Sequence, residues 1–247
     1  MEIIDKIHKQ IRDYQCGGEY QPLKISFKVR PPVFLAHPWL YFDSLIQYIC
    51  LRDALGEHFY ILPSDQVLPV DQLQIPIKKT DDVYHASVSH FDKAPLYQST
   101  IYKRFNDKNV DKLTPKQRKG KIHTDRGYFK DFMINLPFIT PNEISFYTCA
   151  DPYELKRLLP YLSGLGKKTD INAGNILNWK IEETETDYSF YKDGQIMRPI
   201  PQELARDFPM VEGMQFMNSS YKPPYWDKSN IKMCLVPKSQ ITVGLQE

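Results

Sequence analysis

Apolar and polar positions alternate most sharply between residues 23 and 30, where Leu23, Ile25, Phe27 and Val29 interleave with Lys24, Ser26, Lys28 and Arg30. A period of two predicts a strand with one apolar and one basic face. Upstream, Ile3, Ile4, Ile7, Ile11 and Tyr14 recur at helical spacing, and Cys16-Gly17-Gly18 supplies a left-handed stop. Residues 2–15 therefore predict a short amphipathic helix that covers one flank of the fold. Pro31-Pro32 and His37-Pro38 exclude helix after the strand. Asp43 then reads as the cap of a helix carrying Leu45, Ile46, Ile49, Cys50 and Leu55, ended by Gly56.

Residues 57–100 hold short apolar pieces broken by Pro63, Pro69, Pro76 and Pro95, and read as edge strands and loops. Beyond residue 130, Phe132, Ile134 and Leu136 alternate. Ile144, Phe146 and Thr148 do the same after the turn Thr140-Pro141-Asn142, which predicts a hairpin. Asp151-Pro152-Tyr153-Glu154 combines a cap, a first-turn proline and an acid at N3, so a helix follows with Leu155, Leu158, Leu159 and Leu162 inward and a kink at Pro160. A glycine-bearing loop, residues 164–174, leads to a strand marked by Ile176, Leu177, Trp179 and Ile181. The order β-α-β-β-α-β predicts an α+β fold, ferredoxin-like or RRM-like. A Pro-rich tail around Arg198-Pro199-Ile200-Pro201 and a late strand at 231–236 complete the chain.

Charge adds what periodicity leaves out. The 247 residues carry a formal net charge of only +2, with 42% apolar content to fill a core. Between Tyr102 and Lys130, however, ten cations meet three acids, net +7, against 22 cations and 27 acids elsewhere. Binding nucleic acid requires neutralising phosphates, and each one neutralised releases counterions. Tyr102, Phe105, Tyr128 and Phe129 bracket the cations, and stacking on an unpaired base contributes about 1 to 3 kcal/mol. A solvated surface loop accounts for the same charges without a ligand. The basic face of the first strand is open to the same two readings.

In the loop after the second helix, glycines permit close approach to phosphate while Lys167 and Lys168 supply charge. It follows a helix and precedes a strand, which is the wrong topology for a P-loop. The six histidines include no metal-binding spacing, and four scattered cysteines give neither a zinc site nor a disulfide framework, which fits a reducing cytoplasm. His123 alone is placed for general acid or base work, with Lys121 or Arg126 as electrostatic partner, although an idle exposed histidine explains it as well. Tyr48 and Tyr147 read as packing residues, and Asp65, Asp71, Asp81 and Asp82 as turn residues. No cofactor, metal, signal peptide or membrane span is expected.

Four segments taken in order resemble one family: the first strand ISFKV with its proline turn and helix, IHTDRGYFKDF, FYTCADPYELKRLLPYLSGLGKKTDINAGNILNWKIEE, and RPIP. Over most of residues 22–202 the chain resembles the RAMP proteins of CRISPR systems, and most of all the Cas-five-like subunit of type IV effector complexes. After the amphipathic helix, assigned to 1–20, that resemblance implies a ferredoxin-like domain at 21–185 with an arm inserted at about 84–130, followed by an extension at 186–247. It also implies a cytoplasmic, non-catalytic subunit that caps the 5′ handle of the guide RNA and contacts the backbone and large subunits, with target DNA nearby. The RNA-binding set becomes Lys24, Lys28, Lys103, Arg104, Lys116, Arg118, Lys119, Lys121, Arg126, Tyr128, Lys130, Lys167, Lys168 and Gly174. The alternative is a metal-independent endoribonuclease that processes repeat RNA through His123.

Overall fold

The computed structural model describes residues 3–62, 67–106, 108, 123–127, 129–206, 208 and 214–242. Helix α1 spans Ile3–Asp13 and buries Ile7 and Ile11. It ends before the Cys16-Gly17-Gly18 stop is reached. Strand β1 spans Gln21–Arg30, β2 is Val33–Phe34 and α2 is Phe42–Leu55. The short pairs β3 (Lys79–Thr80), β4 (Val83–Tyr84) and β5 (Ala94–Pro95) precede a long ribbon of β6 (Tyr97–Lys103) and β7 (Phe132–Ile139). Then come β8 (Glu143–Ala150), α3 (Pro152–Leu158), β9 (Asn175–Glu183), β10 (Tyr191–Lys192), β11 (Gln195–Ile196), β12 (Ile200–Pro201), β13 (Gln215–Ser220), β14 (Ile231–Val236) and β15 (Ile241–Thr242). The result is a mixed α+β fold built from several small, mostly antiparallel sheets.

The central sheet has the order β8-β1-β9, with both neighbours antiparallel to β1. The alternation read in β1 is what buries it: Leu23, Ile25, Phe27 and Val29 are all at most 3% exposed. Their apolar face meets Phe42, Ile46 and Ile49 of α2 and Leu155 and Leu158 of α3. Phe42 stacks on Phe146, which in turn meets Phe27 edge-on. The other edge of β8 is lined by an interrupted run over residues 77–90, bridged at Ile77 to Ala150, Ala86 to Thr148 and His90 to Ser145. The β3–β4 hairpin bulges out of the middle of that run.

The predicted hairpin is corrected by this arrangement. The segments 132–136 and 144–148 are strands, but they do not pair with each other. Both edges of β8 are taken, one by β1 and one by residues 77–90, so β7 pairs with β6 and, at its far end, with β2. The span expected for an inserted arm, about 84–130, overlaps that sheet edge. Residues 85–90 are bonded to β8, with the Ser87 N–H donating to the Tyr147 carbonyl at 2.7 Å, and the projecting ribbon starts at Tyr97.

Helix ends follow the sequence in one case and depart from it in another. The Asp151 side chain accepts from the Tyr153 and Glu154 amides, with Pro152 in the first turn, and the chain passes into a 3-10 turn through Pro160. Asp43, by contrast, does not cap α2; the cap position is Tyr41 and makes no side-chain bond. Asp43 is 1% exposed and turned inward, where the tail supplies its partner. The tail is more regular than its prolines imply, because β12, β14 and β13 form an antiparallel sheet.

Candidate nucleic-acid interface

The ribbon of β6 and β7 runs for seven paired positions, about 23 Å. Its register sets Tyr102 beside Met133 and Lys103 beside Phe132. Tyr102 is 69% exposed and Met133 73%, so two large apolar side chains stand in solvent side by side. Together with Thr100, Arg104 and Asp131 they line a shallow groove at the ribbon's outer end. Beyond it, Phe105 and Phe129 meet edge-on at 5.1 Å, and the Phe105 N–H donates to Asp131 at 2.7 Å. These two rings, read as able to stack on bases, thus pack on each other.

The rest of the basic segment divides in two. Arg104, Arg126 and Lys130 are exposed, and His123 lies 3.6 Å from the carboxylate of Asp125, both side chains being largely in solvent. Lys116, Arg118, Lys119, Lys121 and Tyr128 lie outside the described residues, as does Asp65.

The glycine loop packs back onto β2. The Lys167 N–H donates to the Phe34 carbonyl and the Gly174 N–H to that of Pro32, each at 2.8 Å, while the Leu165 N–H reaches Gly174 at 2.9 Å. A Cβ on Gly166 would sit 2.4 Å from the Phe34 oxygen, and one on Gly174 2.0 Å from that of Leu165; both residues have positive φ. These glycines serve the loop's own closure, and the amides of Leu165, Lys167, Ile171, Asn172, Ala173 and Gly174 are engaged by backbone carbonyls. Gly174 is buried and its N–H is taken, which corrects its expected place in a phosphate cradle.

What the loop contributes is Lys168. Its Nζ lies 5.2 Å above the Phe132 ring, within cation–π range. Because Phe132 pairs with Lys103, two segments far apart in sequence converge: the outer end of the ribbon and the Gly-Lys-Lys loop. Lys167 is exposed beside them.

Lys24 and Lys28 lie elsewhere, on the central sheet. Lys24 is in register with Glu182, and Lys28 with Glu143. Lys180 bonds Glu182 at 2.7 Å and is the main reason that the Glu182 carboxyl lies below its usual range, Lys24 adding to it. Lys24 and Lys28 thus each face an acid on a neighbouring strand, while Lys180, opposite Ser26, adds a further cation to the sheet. Tyr48, read as a packing residue, is 49% exposed.

Two polar clusters escaped sequence reasoning. His85 Nδ1 is 2.6 Å from Asp187 and its Nε2 2.9 Å from the Thr80 hydroxyl, tying the β3–β4 hairpin to the segment after β9. Burial pushes the Asp187 carboxyl up, but bonds from His85 and Ser189 outweigh it and leave it below its usual range. With Asp187 at one ring nitrogen and Thr80 at the other, the ring is held in orientation. No spacing rule joins residues 80, 85 and 187.

Arg198 is fully buried, with Nη1 donating to the carbonyls of Tyr84 and Ala86 and Nη2 to Asp43, the Tyr221 carbonyl and the Tyr225 hydroxyl. One signal for it was present: a lone cation within Ile196-Met197-Arg198-Pro199-Ile200.

Among the described residues no group of three or more His, Cys, Asp or Glu could hold a metal ion, and no helix is long and apolar enough to cross a membrane. The family profile described as CRISPR type IV associated protein Csf3 matches residues 21–237. None of the curated proteins matches the chain. Among solved structures, one similar chain comes from "Cryo-EM structure of the Type III-B Cmr-beta bound to cognate target RNA", at 10% identity and a TM-score of 0.35. The match covers 72% of this chain and 65% of that one, so less than two thirds of its length is spanned. Similarity at this level carries no argument about function.

Proposed function

The chain belongs to the CRISPR type IV associated Csf3 family, and we propose that it is the subunit of a type IV effector complex that grips the 5′ handle of the guide RNA without cutting it. The observation that carries this reading is the convergence of Lys103, Phe132 and Lys168 at the ribbon, beside exposed Tyr102 and Met133. Cations there neutralise phosphates while the aromatic faces accept unpaired bases, the combination that suits single-stranded RNA.

In this reading the core is ferredoxin-like. The spatial order of residues 77–90, β8, β1 and β9, with α2 and α3 on one face, corresponds to strands two, three, one and four of a β-α-β-β-α-β unit. The ribbon is then the arm inserted between its second and third strands. The backbone subunit and the large subunit are the protein partners, with target DNA nearby. In this reading His123 is a surface residue, its described ionic contact being to the exposed Asp125.

Sequencing the RNA that copurifies with the assembled complex tests this. A constant 5′ end on guide-length RNA is the expected result. RNA of random ends, or a chain that enters the complex equally well without RNA, overturns the reading.

A further inference from the structure

A second concave site lies between α2, the β3–β4 hairpin and the loop joining β13 to β14, and shares no lining residue with the ribbon groove. Buried Tyr84, Gln47 and Asn230 line its interior. Trp226 also lines it and is 73% exposed, an unusual placement for the largest side chain. Lys79 and Lys222 line it too, and both bind one carboxylate, that of Asp82, at 2.9 and 2.7 Å. They hold the Asp82 carboxyl down at about 2, so this trio keeps one positive charge in excess over the whole physiological range. Each ammonium has three donors; one meets Asp82, and Lys79 also lies over the Tyr84 ring and Lys222 over that of Tyr221. Asp71 and Asp227 supply separate carboxylates, Asp227 being fixed by the Ser229 amide and hydroxyl.

The site therefore offers an exposed aromatic side chain, two ammoniums that share Asp82, and two further carboxylates in Asp71 and Asp227, so that two cations stand among three acids. The ligand that satisfies all three has a planar ring, an anion and an edge of N–H donors. A guanine nucleotide is such a ligand: its Watson–Crick edge presents N1–H and the exocyclic amine to a carboxylate, its ring stacks, and its phosphate meets the lysines. Adenine turns an acceptor nitrogen toward the carboxylate instead. We propose that this pocket takes one unpaired guanine nucleotide of a single-stranded nucleic acid, with its base on Trp226 and its phosphate at Lys79 and Lys222. It is a second contact, independent of the ribbon.

Calorimetric titration of the purified chain with GMP, AMP, CMP and UMP tests the base. Nonamers of uridine with and without one central guanosine, and the thymidine equivalents, separate a free nucleotide, RNA and DNA as the source. GMP and the guanosine-bearing nonamers should bind at least about fivefold tighter than their counterparts, an edge-reading margin. Trp226→Leu should weaken them about tenfold or more, and Trp226→Phe less, because a stacking face remains. Lys222→Gln should weaken GMP but not guanosine, which has no phosphate. Charge reversal at Lys103, Arg104 and Lys168 should leave GMP binding unchanged, so failure here is distinguishable from failure of the ribbon. Equal binding of all four nucleotides, retention by Trp226→Leu, or preference for an arginine-containing peptide overturns the proposal. Trp226 is mostly in solvent, so its substitution leaves the core intact.

Discussion

Arg198 and Asp43 stand 155 residues apart in the chain and meet at 3.2 Å in the interior, each side chain 1% exposed. Tyr225 completes the cluster, its hydroxyl lying 2.8 Å from both Asp43 oxygens and donating its one proton to that carboxylate, and its phenol is pushed well above its usual pKa by burial and then by Asp43. Burial works against the Arg198 charge, but Tyr225 and Asp43 outweigh it and keep the pKa raised. One guanidinium thus ties the tail to α2 and to the interrupted strand at Tyr84 and Ala86.

Breaking that cluster from one side leaves Asp43 buried without its countercharge. Arg198→Met is expected to lower stability by about 3 to 5 kcal/mol, and the double variant with Asp43→Asn by less than the two single losses together. Urea unfolding of the four proteins measures this. A single variant within about 1 kcal/mol of the parent would show that water or relaxation replaces the pair.

The loop that delivers Lys168 depends on two glycines. Gly174→Ala places a Cβ 2.0 Å from the Leu165 oxygen at a φ of +61°, and Gly166→Ala places one 2.4 Å from the Phe34 oxygen at +87°. Each is expected to cost about 2 to 4 kcal/mol, whereas an exchange free of strain would stabilise by up to about 1 kcal/mol. Thermal unfolding checks the loss. A melting temperature unchanged in both would mean that the loop does not close on β2 as described.

His90 gives a pH dependence with a definite sign. Burial, and then Lys192, push its pKa down from 6.5 to about 4, and its Nε2 is buried without a partner. Between those values the unfolded chain takes up a proton that the folded one refuses, so this contribution is complete above pH 6.5 and is lost as pH falls toward 4. At about 1.4 kcal/mol for each pH unit between the two values, the loss is on the order of 3 kcal/mol. His90→Leu should flatten the stability profile across this window while the parent slopes. Identical slopes would remove His90 as the cause.

Local features were legible in the sequence and long-range ones were not. Strands β1, β9 and β14 and the capped start of α3 follow from alternation and from Asp151-Pro152, signals carried within a few residues. Alternation in 132–136 and 144–148 marked strands correctly but could not name their partners, because pairing is decided by which edges remain free. Asp43 looked like a cap for the same reason: its true partner, Arg198, is set by the fold. The Gly-Lys-Lys loop and the basic arm were each visible, whereas their meeting at Phe132 depends on the loop closing over β2. The acids opposing Lys24 and Lys28 are likewise supplied by strands remote in sequence.

The central claim is that Lys103, Arg104 and Lys168 act together on single-stranded guide RNA. Its most direct measurement is the salt dependence of RNA binding by the complex carrying Lys103→Glu, Arg104→Glu and Lys168→Glu, beside the parent. Affinity should drop at low salt and the slope of log affinity against log salt should flatten by about 2, close to 0.7 for each phosphate of a single strand that no longer meets a cation. An unchanged affinity and slope would contradict the account and remove the ribbon from RNA binding.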